Sequence, residues 1–446
     1  MRTRVQYLFL FSFGVIFLFA TQAFCAPLHE KTPPELADLM QYLKTAEEQN
    51  NSLRSAQHAW QAEVKKALGE DTLPDPRLNF GYYTTPLETR GGPARYKYGL
   101  SQSFPFFGKL SLKKQIAMRE ADGFKAKLDA VRLQLFYDIK TTYFEYAYLA
   151  KAISITKENM ELLSYLEKVA TTTYSTGATS QANIIKPQLE LGKLEDRLAS
   201  LREQQRPLVE KLNALLNQEP DTPIPFPKEI PVIGLKTENA TLIENMRDSN
   251  PNLQYWGTVL NKQNSGLKLA EKSYFPDFTF GVEAIEVDDA RNDGVTGDGE
   301  NPVMVSMSLN IPLWQDARDA AVASSQEKIR STRQKQLGLE RLLRSELELT
   351  LYQYRDAERK VSLYRDSLIP KAEQNFSVNM EAFINGSGSS LDLIDSERTL
   401  LEMQLAYYRS LANQAQRFAK LEVLVGHELT GSYSRSSLKQ PQAHNE

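Results

Sequence analysis

The sequence predicts an elongated, mostly helical chain built twice over, each copy running helix, strand hairpin, long helix, tight turn, helix. Three observations carry that expectation. They are an internal repeat of roughly 200 residues, long proline-free stretches with a heptad seam, and four short runs of alternating polarity.

The repeat is read from offsets. "NNSL" (Asn50–Leu53) matches "NPNL" (Asn250–Leu253), and Pro76 with Gly81 matches Pro276 with Gly281, both 200 residues apart. "SQSFPFF" (Ser101–Phe107) matches "SLNIPLW" (Ser308–Trp314) at 207, and "YSTGATS" (Tyr174–Ser180) matches "FINGSGS" (Phe383–Ser389) at 209. Residues 26–218 then form the first copy and 235–427 the second, joined by a linker over 219–234 that carries the five prolines of "EPDTPIPFPKEIP". A polar tail, 428–446, follows, and its last 15 residues are expected to be loosely attached.

The long helices come next. No proline falls between Pro105 and Pro187, nor between Pro312 and Pro370. Phe136, Ile139, Tyr143, Tyr146, Ala150 and Ile153 alternate spacings of three and four, as do Leu401, Leu405, Tyr408, Ala412, Ala415 and Ala419. A helix from about Phe106 to Ala170 is on the order of 100 Å long at 1.5 Å per residue, more than one globular core can bury.

Strands are expected near 77–83, 95–104, 278–287 and 303–311, where apolar and polar residues alternate with period two. Val305, Met307 and Leu309 belong to one face, Ser306, Ser308 and Asn310 to the other. The tips "ETRGGPA" and "DDARNDGVTGDGEN" are polar and glycine-rich. At the helix junctions stand Phe104, Phe106, Phe107, Tyr274, Phe275 and Trp314, the placement of an interfacial aromatic girdle. No run of 18 apolar residues follows residue 25, so helical spans are not expected, while a β-barrel, whose strands are short and only alternately apolar, is left open. Four strands cannot close a barrel, and an open edge is not viable in lipid. The chain must oligomerise, and three copies supply 12 strands.

Residues 1–25 read as a secretory signal peptide: Arg2 and Arg4, the apolar run Leu8–Ala20, and Ala23 three residues before the cut. Cys25, the chain's one cysteine, is then removed or, alternatively, lipidated. Without Arg2 and Arg4 the net charge moves from −3 to −5, which points away from nucleic acid as a partner. His29, His58, His427 and His444 show no metal-ligand spacing, no phosphate loop or nucleophile elbow is present, and "GVTGDGE" lacks the acidic rhythm of a calcium loop. No enzyme, cofactor or metal site is expected.

Taken together, the duplicated unit, "SQSFPFFGKLSLKKQIAMREAD", "YFPDFTFG", "NIPLWQDARDAA" and the stretch from "FINGSGSSLDLIDSERTLLEMQ" to "LEVLVG" resemble the TolC family of outer-membrane efflux proteins over most of residues 35–427. The resemblance implies a homotrimer in the outer membrane. Its 12-stranded barrel continues into a long periplasmic α-helical barrel and works passively with a periplasmic adaptor and an inner-membrane pump of the resistance-nodulation-division or ABC type. It implies that the turns at Gly177, Ser180, Gly386, Gly388 and Ser389 lie at the periplasmic end and meet the adaptor. It also implies a gate of stacked acidic rings at Asp392 and Asp395, whose aligned positions in the first copy are Asn183 and Lys186, with Lys186 able to pair with Asp395. The family's basic residue near this turn is replaced by Gly388. A periplasmic coiled-coil scaffold or adaptor is the alternative, which leaves the four strands unexplained.

Overall fold

The computed structural model describes residues 36–175, 181–291, 294 and 296–434. The first copy opens with α1 (Ala37–Gln49) and α2 (Asn51–Gly69), passes through the hairpin β1 (Arg77–Thr89) and β2 (Gly92–Phe104), and enters α3 (Lys109–Ser175). It returns along α4 (Ala182–Glu203) and α5 (Gln205–Leu216). After β3 (Val232–Leu235), the second copy repeats the order with α6 (Asn239–Ser249), α7 (Pro251–Glu271), β4 (Phe278–Val287), β5 (Val303–Leu309), α8 (Asp316–Leu363), α9 (Ile369–Ile384) and α10 (Ser390–Val425). A short strand, β6 (Gly431–Ser434), ends the described chain.

The 67 residues of α3 form one helix, about 100 Å long at 1.5 Å per residue. Its seam does what the heptad spacing requires: Phe136, Ile139, Tyr143, Tyr146 and Ile153 are buried, with Leu401, Leu405, Ala412, Ala415 and Ala419 of α10. The counterpart of α3 is not continuous. Pro370 sits in the first turn of α9 and has no N–H to donate, and the five residues Tyr364–Leu368 before it wind as a π turn. The return arms are broken in the opposite sense, α4 and α5 being separate where α10 is one helix.

Each copy is tied by the same buried asparagine. Asn50 caps α2 by accepting from the Leu53 N–H, and its Nδ2 donates to the Leu215 carbonyl at 2.9 Å. Asn250 caps α7 by accepting from Asn252 and Leu253, and its Nδ2 donates to the Leu424 carbonyl at 2.8 Å. One amide thereby satisfies the start of one helix and the end of another. The C-caps match as well: Asn217 after α5 and Gly426 after α10 are both left-handed. At Gly426 the choice is forced, because a Cβ would lie 2.3 Å from the Ser249 oxygen.

The proline-rich linker crosses the middle of the long helices. Tyr146 of α3 donates to the Ile224 carbonyl and stacks on Phe226 with centroids 4.7 Å apart. Tyr354 of α8 donates to the Ile233 carbonyl at 2.6 Å and accepts from the Leu235 N–H at 2.9 Å. β3 pairs antiparallel with β6, which corrects the expectation of a loose tail for Ser432, Tyr433 and Ser434. Those residues complete a ladder whose edge the linker would otherwise leave open.

The other sheet has four antiparallel strands in the order β1-β2-β4-β5. The hairpins of the two copies meet at β2 and β4, from Phe104 opposite Phe278 to Ala94 opposite Val287. The first hairpin is longer than the alternation indicates, turning tightly at Arg90–Gly91, and most of the expected tip "ETRGGPA" is strand. β5 stops at Leu309, short of the expected 311, where the Asn310 N–H bonds the Asp277 carbonyl.

Candidate functional site

The register of the sheet separates two faces. Leu78, Leu100, Val282 and Val305 lie directly opposite one another across the four strands, and Phe104, Phe278 and Leu309 form a parallel row. One residue over, Arg77, Ser101, Gly281 and Ser306 make a polar row, followed by Ser103, Thr279 and Ser308. Because side chains alternate across a strand, the first rows share one face and the second the other. The apolar face is bare: Leu78 is 80 % exposed and Val305 76 %. On the opposite face Lys97 and Glu283 form an ion pair at 2.6 Å. A sheet with one uncovered apolar face and one charged face suits a boundary between hydrocarbon and water. Both edges, β1 and β5, lack a strand partner among the described residues.

The junction aromatics gather where strands become helices. Phe106 stacks on Phe275 at 4.5 Å and meets Phe107 edge-on, and Phe104 packs on Phe280. Phe107 and Trp314 are largely exposed, and the Tyr274 hydroxyl binds the Asp319 carboxylate. Beneath the rings lies a staple that sequence reasoning missed. Asp277 Oδ1 accepts from the Phe106 N–H and from Lys109 Nζ, both at 2.7 Å, and Lys109 also reaches the Phe275 carbonyl. The residue stands in plain view within "YFPDFTFG", but its partners come from the other copy.

At the far end of the long helices lie the turns. Gly177 and Ser180 fall outside the described residues. In the second turn Gly386 is left-handed, with φ +71°, and a Cβ there would meet nothing within 4 Å, so its role is conformational. Gly388 is different: a Cβ there would sit 2.8 Å from the backbone of Ala382 and Phe383, and its N–H donates to the Ala382 carbonyl at 2.8 Å. The turn admits no basic side chain at that position. Ser389 caps α10 through the Leu391 N–H, one residue earlier than a capping box would.

The first turns of α4 and α10 are tied together. The Ser390 hydroxyl donates to Asn183 Oδ1 at 2.6 Å, bringing one expected gate residue against the base of α10. Asp392 and Asp395 are exposed on the same helix face, one turn apart. No ion pair joins Lys186 to Asp395 among the described residues; Asp395 lies 3.9 Å from Arg398. Arg398 turns instead to α4, donating to both oxygens of Glu190 at 2.9 and 3.3 Å. Burial opposes ionisation of Glu190, but the hydrogen bonds and charges of Arg398 and Lys193 hold its carboxyl below the usual range. Next to Arg398, Glu397 is 1 % exposed. It occupies a position in the stripe Leu393, Glu397, Leu401, Leu405, a spacing of four that marks an acid on an apolar face. Higher on the helices, Arg409 of α10 makes a two-pronged contact with Glu145 of α3 at 2.7 and 3.0 Å, and a buried pair joins Lys140 to Glu422 at 2.6 Å.

The family pattern described as outer membrane efflux protein matches residues 42–218 and 242–427. The chain belongs to that family. Among solved structures it is similar to the outer membrane protein VceC of Vibrio cholerae, at 15 % identity and TM-score 0.72, over 88 % of this chain and 97 % of that one. A membrane protein from Pseudomonas aeruginosa matches at 15 % identity and TM-score 0.73, over 88 % and 91 %. A toxin and drug export protein A from Aggregatibacter actinomycetemcomitans is 24 % identical over 156 residues, 34 % of each chain. The match thus spans about a third of that curated relative. By family the chain is thus an outer membrane efflux protein, and its fold is that of outer-membrane channel structures. No helix among the described residues is long and apolar enough to cross a membrane, and none of their acid, histidine or cysteine clusters has three members placed to hold a metal.

Proposed function

We propose that three copies of this chain assemble into one duct. In this reading the four-stranded sheets join edge to edge, β5 of one protomer to β1 of the next, into a 12-stranded barrel whose apolar rows face lipid and whose Lys97 and Glu283 face water. The long helices continue it through the periplasm. The observation that carries the reading is the sheet itself: among the described residues its apolar face is uncovered, and neither edge has a strand partner. Unpaired backbone in hydrocarbon costs several kcal/mol per group, so the edges must find partners, and closure on further copies satisfies them all.

At the other end, Asp392 and Asp395 form two stacked carboxylate rings under threefold symmetry, with Asn183 and Lys186 at the start of α4 beside them. The turns at Gly177, Ser180, Gly386, Gly388 and Ser389 meet a periplasmic adaptor that links the duct to an inner-membrane pump. The relative from Aggregatibacter actinomycetemcomitans is a toxin and drug export protein, and both cargo classes are proposed for this chain.

The test is reconstitution. The mature chain, extracted from outer membranes, should run as a heat- or denaturant-sensitive trimer and conduct ions in planar bilayers. A soluble, elongated monomer would sink the proposal and revive the periplasmic scaffold.

A further inference from the structure

Between the turns and the middle of the helices lies an apolar cluster made by Leu163 and Leu166 of α3, Leu194 of α4, and Leu393, Ile394, Leu401 and Leu405 of α10. Phe376, Met380 and Phe383 of α9 cover it. Glu397 lies within the α10 stripe of that cluster, 1 % exposed, and its Oε1 has no hydrogen-bond partner among the described residues. A carboxyl placed this way is stable as the neutral acid and poorly stable as the anion, because nothing replaces the water it has lost.

The nearest cation is already engaged. Arg398 is held by both oxygens of Glu190 across the α4–α10 boundary, and Glu190 is held in turn by Lys193 at 3.0 Å. The charges acting on Glu397 are Glu190, which opposes its ionisation, and Arg398, which favours it. On α10 itself Asp395 and Glu402 act on Arg398. The neighbouring stretch of α3 carries Glu167, bound by the Gln188 amide, and that of α9 carries Glu373 and Glu381, none of which is among the charges acting on Glu397.

We propose that Glu397 is a pH-responsive latch: while it carries a proton α4 stays packed on α10 beside the turns, and its ionisation loosens that packing. An ionised Glu397 must either draw Arg398 from Glu190, breaking the bridge, or leave the apolar cluster for water. Burial, then the negative charge of Glu190, push its carboxyl up to about 7 against the pull of Arg398. In a loosened state the same group returns toward the ordinary 4.5. The packed state therefore binds the proton more tightly. Its advantage is complete below the ordinary value, falls as pH rises from about 4.5 to about 7, and is lost above that. Over that window the ratio of loosened to packed forms rises by up to roughly tenfold per pH unit. That this loosening bears on export rests on the reading of the turns as the periplasmic mouth.

The experiment is amide hydrogen exchange on the full mature chain in micelles between pH 5 and pH 8, corrected for intrinsic exchange, with planar-bilayer conductance on the same preparations. In the wild type, opening of residues 182–203 and 390–401 should increase by roughly 40-fold from pH 5 to pH 7 and level off by about pH 8. Glu397→Gln, of the same shape and without a charge, should hold those segments at the wild type's pH 5 protection throughout. Glu397→Met should do the same with an apolar side chain. Flat exchange in the wild type, or a variant that follows the wild type's pH dependence, overturns the latch. A Glu397-dependent rise in exchange with no change in current leaves the latch standing and removes these turns from the conduction path.

Discussion

Val305 and Ser306 are neighbours in β5 whose side chains leave the sheet on opposite faces. Arginine at Val305 enters the apolar row of Leu78, Leu100 and Val282, where no acid stands directly across the strands. With the row near the middle of the bilayer, the substitution should cost about 2–4 kcal/mol per chain. The side chain it replaces is 76 % exposed in the single chain, so little internal packing is lost and almost all of the cost is that of placing the guanidinium in hydrocarbon. Arginine at Ser306 enters the polar row instead, opposite Gly281, which has no side chain to clash and the Ser101 and Arg77 positions beyond it. Its cost should be near zero, with a narrower lumen and reduced single-channel conductance. The assay is the fraction of each variant recovered as a denaturant-sensitive oligomer from outer membranes, with the urea midpoint of vesicle-inserted protein as the quantitative readout. Equal assembly of the two variants would refute the assignment of faces.

Three further outcomes are expected. Valine at Gly388 should disorganise the second turn, since its Cβ meets backbone at 2.8 Å, whereas Gly386→Ala should cost only about 1–2 kcal/mol of left-handed strain; exchange protection at residues 382–392 separates them. Asn250→Ala should destabilise by about 2–4 kcal/mol by removing a cap and leaving the Leu424 carbonyl unpaired in a buried site, and Asn250→Asp should not rescue it, because a carboxylate accepts but does not donate; urea unfolding followed by circular dichroism reads both. Asp392→Ala combined with Asp395→Ala should leave the oligomer intact while weakening cation selectivity and divalent block in bilayers; unchanged block returns both acids to helix capping.

Much of the architecture was legible because its signals are periodic. The heptad seam of Phe136 to Ile153 and the alternation of Val305 to Asn310 each repeat over several turns or residues, so one misplaced residue does not hide them. The breaks were less legible. Pro370 was visible, but whether a proline ends a helix or is absorbed by a π turn depends on the packing around Tyr364. Pro187 sits inside α4 although it reads as a boundary. β3 and β6 are four residues each and lie about 200 positions apart, too short for a period and too distant for a hairpin signal. At the turns, Asn183 and Ser390 do meet, but the partner of Arg398 is Glu190, which no spacing within either copy reveals. The positions of Asp392 and Asp395 relative to one another follow from helix geometry alone; the charges that surround them depend on which arms lie side by side.

The sheet edges β1 and β5, which have no strand partner among the described residues, carry a consequence for inheritance. If copies of the chain close each other's edges, every protomer depends on both neighbours, and one chain with a ruined β1 or β5 spoils the ring it joins. A cell making equal amounts of intact and edge-damaged chain would build wholly intact rings of three only about one time in eight, so such alleles should act dominantly. A null allele, contributing nothing to the ring, should remain recessive.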